Sequence, residues 1–223
     1  MFKRAIYGIP VTTIYSIRLN IYVRRTIVVN GKHINNIKKN KKNNKTKRNK
    51  KGYSLGAVFD KHIKYEFQDH DVDATMKTMV REPYVHHVPM MTGGIGYDSV
   101  YNFYKSHFVG KMPDDTKVEH ISRTVGNDQV VDELILKFTH DREIEFMIPG
   151  IAPTGKYVEL PHVVIMKFVG KKIAHEHIYW DQASLLAQIG LLDANNLPIK
   201  GIEQSKKLQE LVNMDCKKSI VSR

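Results

Sequence analysis

The stretch KKIAHEHIYWDQASLLAQIGLLD, residues 171–193, is where the fold can first be read. Gly170-Lys171 is a turn signal, and from Lys172 to Trp180 polar and apolar residues interleave with the two-residue period of a strand. Asp181 follows at once. Its carboxylate is placed to accept the free amide hydrogens that open QASLLAQIG, and Gly190 is placed to end that helix. Capping alone accounts for an aspartate at this position, so Asp181 is assigned to structure rather than chemistry.

The segments before this strand extend the pattern back to Pro113. KVEHISRTV, QVVDELILKFTH, REIEFMIPG and KYVELPHVVIMKFVG alternate or run apolar and are separated by turn signals such as Gly126-Asn127-Asp128. Ahead of Pro113 the period is helical. Phe59, Ile63 and Phe67 fall on one face, and Asp71 caps a second short helix with Met76, Met79 and Val80 as its apolar side. EPYVHHVPM reads as a strand interrupted by Pro83 and Pro89, TGGIG as a flexible loop, and YDSVYNFYKSHF as a helix burying Val100, Phe103, Tyr104 and Phe108. Helices followed by an antiparallel meander predict an α+β fold, with the helices on one face of a curved sheet.

The chain has 35 Lys and Arg against 23 Asp and Glu, a formal net charge of +12. A charge of that size raises nucleic-acid binding as a function. Its distribution argues otherwise: fifteen of the bases and none of the acids lie in residues 1–59, and the rest of the chain is slightly acidic. Within that stretch, NNIKKNKKNNKTKRNKK (35–51) has one apolar residue and cannot bury enough surface to offset the entropy of ordering. Residues 1–56 are therefore expected to be a basic, low-complexity, disordered leader. No aromatic residue interleaves the Lys run as a stacking platform, so a nucleic-acid partner ranks last among the functions considered. Arg18, Arg24 and Arg25 break any apolar run of about 18 residues, and no membrane partner is expected. The acid-free start admits an organellar presequence as an alternative to a cytoplasmic protein, although it is poor in Ser and Ala. The single cysteine, Cys216, allows no intramolecular disulfide and agrees with a reducing compartment. Residues 57–193 have the size of one domain, and 194–223 read as a tail with a short helix.

Two glycine-rich stretches are decoys for phosphate sites. Gly150-Ile-Ala-Pro-Thr-Gly155-Lys156-Tyr157 approaches the P-loop pattern, but Tyr157 replaces the metal-binding hydroxyl, Pro153 removes an amide donor, and a strand follows where a helix is needed. The loop Gly93-Gly94-Ile95-Gly96 lacks dinucleotide-site spacing. Neither implies a cofactor.

The stretches TMVREPYVHHVPMMTGGIGYDSVYNFY, ISRTVGNDQVVDELILKFTH, IPGIAPTGKYVELPHVVI and KIAHEHIYWDQASLLAQIGLLD resemble the SnoaL-like branch of the nuclear-transport-factor-like superfamily. The likeness is closest to SnoaL-like proteins and modules found alone or attached to dienelactone hydrolases. It covers about Phe59 to Asp193, and residues 1–56 have no counterpart in it. It implies a cone of helices wrapped by a strongly bent sheet, an apolar pocket and often a homodimer through the sheet. It does not choose a reaction, since the superfamily holds cyclases, isomerases, dehydratases and proteins without known chemistry. The hydrolase nucleophile domain is absent, so dienelactone hydrolysis is not inherited.

Alternation along 172–180 puts His175, His177 and Tyr179 on one strand face and Ala174, Glu176, Ile178 and Trp180 on the other. If the second face lines the pocket, Glu176 is a desolvated carboxylate suited to general acid or base work, and a hairpin turning at Phe168–Lys172 brings His162 of the preceding strand toward it. A His/carboxylate pair on adjacent strands is similar to what the cyclase branch uses for proton transfer. If the first face points inward, His175 and His177 take that place; strand register decides between them. Tyr84, His86, His87 and Trp180 are the expected pocket residues. A metal site built on His175 and His177 with His86, His87 or His162 is the weaker alternative, so no metal and no cofactor are assigned. The leading function is acid/base chemistry on a small apolar carbonyl or lactone-like substrate. A non-catalytic ligand-binding or dimeric accessory domain stands second.

Overall fold

The computed structural model describes residues 54–221, with side chains through Met214. The Lys/Asn tract and the rest of the expected leader up to residue 53 lie outside the described residues. Helix α1 (Leu55–Phe67) starts two residues before the expected domain boundary. Asp71 caps α2 (Val72–Lys77) by accepting from the amide of Ala74 at 2.9 Å. The expected helical face is cut short there, because Met79 and Val80 already belong to strand β1 (Met79–His87).

Pro83 sits inside β1 without breaking it. The parallel pairing with the last strand shifts register between Met79 and Tyr84, and a residue with no amide hydrogen is tolerated at such an irregularity. TGGIG is not a loop: Thr92–Ile95 form strand β2, antiparallel to β1. A Cβ on Gly93 would come within 2.0 Å of the Val85 carbonyl oxygen, so this close approach requires glycine, the residue that made the stretch look like a loop. Helix α3 (Tyr97–Phe103) continues into one π-helical turn, Tyr104–Phe108, whose widened ring closes from the amide of Val109 to Tyr104 O at 2.8 Å.

Strands β3 (Lys117–Val125), β4 (Gln129–Thr139), β5 (Tyr157–Val169) and β6 (Lys172–Trp180) form the expected antiparallel meander. β1 joins it parallel to β6, giving one curved mixed sheet of order β2-β1-β6-β5-β4-β3. The segment REIEFMIPG forms turns instead of the expected strand. Its Ile144, Phe146, Met147 and Ile148 are all buried in the main core. An apolar run pairs in a sheet only when a neighbouring edge is free, and this one caps the end of the core.

β6 runs through Asp181 into α4 (Gln182–Gln188), and the Asp181 carboxylate accepts from the Ser184 amide at 3.1 Å, as the opening stretch predicts. Gly190 follows with φ 82°, the left-handed conformation that ends a helix. The tail forms α5 (Glu203–Val221), 19 residues where a short helix was expected. Arg123 of β3 braces α1 over the sheet: its guanidinium holds the buried Asp132 of β4 through two 2.6 Å bonds and Asp60 of α1 at 2.7 Å. That brace aims the next turns of α1 into the cone.

Candidate functional site

α1 does not bury the face its apolar spacing predicts. Phe59 is buried, but the positions packed beside it are His62 and Glu66, 0% and 3% exposed, while Ile63 and Phe67 are half-buried at the rim. Two ionisable groups one helical turn apart under a sheet must find partners there, because a bare buried charge costs several kcal/mol. They find one on β6. His62 Nε2 lies 3.0 Å from Glu66 Oε1 and 2.9 Å from Glu176 Oε1, and the Tyr104 hydroxyl, from the π-helical turn, donates to that same Glu176 oxygen at 3.0 Å.

The proton count follows from the neighbours. The Thr78 hydroxyl donates to Thr75 O at 2.6 Å, which leaves it only an acceptor for His62 Nδ1 at 2.5 Å. Nδ1 therefore carries hydrogen. Nε2 faces two carboxylate oxygens and carries hydrogen too, so His62 is an imidazolium. Burial alone would lower its pKa, but Glu66 and Glu176 together outweigh that and raise it to about 10. The two glutamates separate in the opposite sense. Burial raises the Glu66 pKa against the pull of His62, whereas at Glu176 the burial penalty is overcome by His62, Tyr104 and His87, and its pKa falls. The imidazolium thus stands between two glutamates whose acidities are moved in opposite directions. The cluster's three ligand atoms lie within 4.8 Å of one another, a spacing one small cation could bridge, and Glu66 Oε1 makes no hydrogen bond.

Glu66, Glu176 and Tyr104 line a cavity of about 60 Å³ on the concave side of the sheet, walled otherwise by aliphatic and aromatic residues. Space of that order holds a few waters or a short chain of heavy atoms, less than a drug-sized ligand needs. Ile63 and Val118 line it and also border two outer clefts of about 280 Å³ and 310 Å³.

Of the residues picked from sequence, Glu176, His162, His87 and Trp180 are on the inner face, each under 9% exposed. Glu176, His162 and His87 line the cavity, and Trp180 packs against both imidazoles with centroids 5.7 Å from His87 and 5.5 Å from His162. The expected contact between His162 and Glu176 does not form. Register sets His162 opposite Trp180 and Glu176 opposite Met166, four residues apart along β5. Tyr84 and His86, expected in the pocket, alternate to the outer face. There Tyr84 stacks on His175 at 4.5 Å and its hydroxyl meets His177 Nε2 at 3.0 Å. The weaker metal set is divided by the same alternation, since His175, His177 and His86 lie outside and His87 and His162 inside. Sequence reasoning missed His62, Glu66 and Tyr104 as site residues. The available signal was a His and a Glu four apart on the apolar side of a helix otherwise marked by Phe59 and Val58.

At the other end of the cavity the two histidines are neutral. His162 Nδ1 donates to the Leu160 carbonyl at 2.9 Å, and burial pushes its pKa down to about 4. Burial does the same to His87, also to about 4, with Glu176 opposing and His162 assisting. His87 Nδ1 has no hydrogen-bond partner.

Among solved structures, the fold is similar to TsrD from Streptomyces laurentii (14% identity, 62% of this chain and 96% of that one, TM-score 0.50). It is also similar to a putative SnoaL-like polyketide cyclase from Jannaschia sp. CCS1 (17% identity, 61% and 94%, TM-score 0.49). A third likeness is to a protein of ketosteroid isomerase-like fold from Catenulispora acidiphila DSM 44928 (14% identity, 60% and 93%, TM-score 0.47). No curated protein matches the chain in sequence. Identities this low speak to the fold and carry no reaction across. The match to the model of the SnoaL-like polyketide cyclase family is of another kind, because it spans residues 63–189, from the middle of α1 through the sheet to the end of α4. The cavity, the sheet and every member of the cluster except His62 fall inside that span, and the chain belongs to the SnoaL-like polyketide cyclase family.

Proposed function

We propose that the chain is an acid/base enzyme of the cyclase or isomerase type, acting without a bound cofactor on a small, mostly apolar carbonyl or lactone-like substrate. The observation that carries this reading is the pair of buried glutamates set around one imidazolium at a mostly apolar cavity, with their pKa values driven in opposite directions. Titratable groups pushed apart in this way supply an acid and a base from one site. Glu176, ionised, takes a proton from the carbon next to a substrate carbonyl. Glu66 in its acid form donates to the carbonyl oxygen as negative charge develops there, while the Tyr104 hydroxyl, whose pKa burial and the glutamates hold well above 10, keeps its hydrogen bond to Glu176. The enolate then attacks a second carbonyl or is reprotonated at another carbon, and the proton on Glu176 is returned. His62 fixes both carboxyls and touches no substrate atom. His162, proposed from sequence as a proton-transfer partner, stands two inner-face positions from Glu176 and is assigned to substrate binding.

Several narrower assignments belong to the same proposal. The chain is akin to the SnoaL-like modules associated with dienelactone hydrolases, on the strength of the long quoted stretches. Two copies meet through the outer face around Tyr84, His175, His177 and Tyr179, where Tyr179 is 41% exposed. The protein works in the cytoplasm; among the described residues no helix is long and apolar enough to cross a membrane.

The test is Glu176→Gln, which keeps shape and removes the base. Screened against small ketones, 1,3-diketones and lactones, it should fold and bind as the native chain does and turn over about 10²-fold or more slowly. Native turnover by the amide variant would leave the ligand-binding domain as the better reading. The structure does favour that reading in one respect, since His62, Glu176 and Tyr104, bonded to one another, also serve as a static core network.

A further inference from the structure

We infer that His162 and His87 form a hydroxyl-binding subsite at the end of the cavity away from the glutamates, so that the substrate is a hydroxy ketone or its enol rather than a simple ketone. The inference rests on the cavity being the substrate site, though not on Glu176 being its base.

The tautomer of His162 is set by the protein. Its Nδ1 partner is the Leu160 carbonyl oxygen, which can only accept, so the hydrogen is on Nδ1 and Nε2 keeps its lone pair. Nε2 is at the outer end of the ring, and the ring lines the cavity. A lone pair facing apolar space is an acceptor without a donor, and leaving one unmade costs more than making it gains. His87 lines the same cavity with its Nδ1 unpartnered, and both imidazoles are packed against the indole of Trp180. The indole is itself immobilised: Nε1 donates to Gln182 Oε1 at 2.6 Å, and Gln182 Nε2 donates to Met147 O at 3.0 Å. Three elements thus hold two neutral rings in fixed orientations, with no cation beside them that would suit a carboxylate. A neutral O–H is the group that gives His162 its donor without bringing a net charge into the cavity.

Register sets the reach required. His87 lies one inner-face position beyond Val85, which pairs with Glu176, and His162 two positions beyond Met166, which also pairs with Glu176. A carbonyl at the glutamates and a hydroxyl at the histidines are therefore separated by a short carbon chain. A β-hydroxy ketone has that form, and it is also the product of enolate attack on a carbonyl.

The probes are 4-hydroxybutan-2-one and its isostere pentan-2-one, which differ by a hydroxyl in place of a methyl. Binding to the full chain is read by ¹⁵N spectra of the histidine side chains. The hydroxy ketone should bind at least about tenfold more tightly and shift the His162 Nε2 resonance, as a site with a buried acceptor discriminates against an analogue lacking the donor. His162→Phe should abolish the preference while holding pentan-2-one affinity within about twofold, and His162→Gln, which keeps an acceptor, should restore part of it. Equal affinities in the native chain, no binding of either ketone, or an undiminished preference in His162→Phe would overturn the subsite. Should the phenylalanine variant fail to fold, the Nε2 shift in the native chain decides alone. Glu176→Gln separates the two proposals, because it should slow turnover about 10²-fold or more and leave the hydroxyl preference intact.

Discussion

The two faces of β6 carry similar side chains and hold them by different physics. Outward, His175 and His177 stack on each other at 4.7 Å and on Tyr84, half-exposed to solvent. Inward, Glu176 is 4% exposed and must be neutralised by His62 of a helix more than a hundred residues earlier in the chain. Water screens the outer contacts, so any one of them is worth little. Within the cone the low dielectric makes each proton position matter, and removing one partner leaves the others unpaired. The lesson is that paired histidines in a sequence mark a strand, while the chemistry depends on what a distant element places behind the alternate residue.

The contrast breaks most strongly at His62. His62→Ala leaves two buried carboxyls with no cation and opens a gap in α1, and the expected loss is about 3–5 kcal/mol, the scale for stripping one partner from a buried ion pair. Urea unfolding with an unchanged slope measures it. A loss under about 1 kcal/mol would mean that His62 is not charged and that the glutamates share a proton without it.

Titration sharpens the comparison inside the cavity, whose two ends respond to pH with opposite sign. His62, raised from 6.5 to about 10 by Glu66 and Glu176 against its burial, contributes stability that is complete below 6.5 and is lost as pH rises through 10. Glu66, raised above 4.5 by burial, acts in the same sense. His87 and His162, lowered by burial from 6.5 to about 4, stay neutral while the unfolded chain takes up protons, so they cost stability as pH falls from 6.5 toward 4. Glu176, lowered from 4.5, adds a loss at still lower pH. Tyr104 and Thr78, which also face His62, stay neutral across this window. The thermal midpoint should therefore peak near pH 6.5, each histidine contributing a slope of up to about 1.4 kcal/mol per pH unit on its own side. His62→Gln should flatten the alkaline limb and His162→Phe should shallow the acid one. An alkaline limb unchanged in His62→Gln would remove the imidazolium.

Legibility in the sequence followed range. The strand–cap–helix passage through Asp181 and the four-strand meander depend on neighbours in the chain, and both were readable from period and turn residues. Glu176 was readable as a lone carboxylate on an apolar face. REIEFMIPG was misread because an apolar run has the same composition whether it pairs in a sheet or caps a core. Thr92–Ile95 were misread because glycine marks close backbone approach as well as looseness. Tyr84 and His86 were placed in the pocket because neither alternation nor composition fixes which face of a strand points inward. His62 and Glu66 were missed for a different reason: their spacing marks them on the apolar side of α1, but their partner is a strand whose position only the assembled cone determines.

The smallest expected effect is on the outer face, and it tests whether that face matters to the monomer at all. Tyr84, His175 and His177 share one stacked group, with no charge buried and water on one side. Replacing both histidines, His175→Ala with His177→Ala, removes ring contacts worth a few tenths to about 1 kcal/mol each and strands no buried polar atom. The expected loss at micromolar concentration and neutral pH is about 1 kcal/mol, with turnover and the hydroxyl preference unchanged, since no atom of the cavity moves. Sedimentation of native and double-variant chains sharpens the result. If two copies meet on this face, the native chain sediments as a dimer, acidification through the histidine range weakens it, and the double variant weakens it at neutral pH. A native chain that stays monomeric at micromolar concentration excludes the twofold interface and leaves the outer rings as surface packing. A double variant that loses turnover while remaining folded would show that the two faces of β6 are not independent, and the division between a screened outside and a chemically active inside would fail.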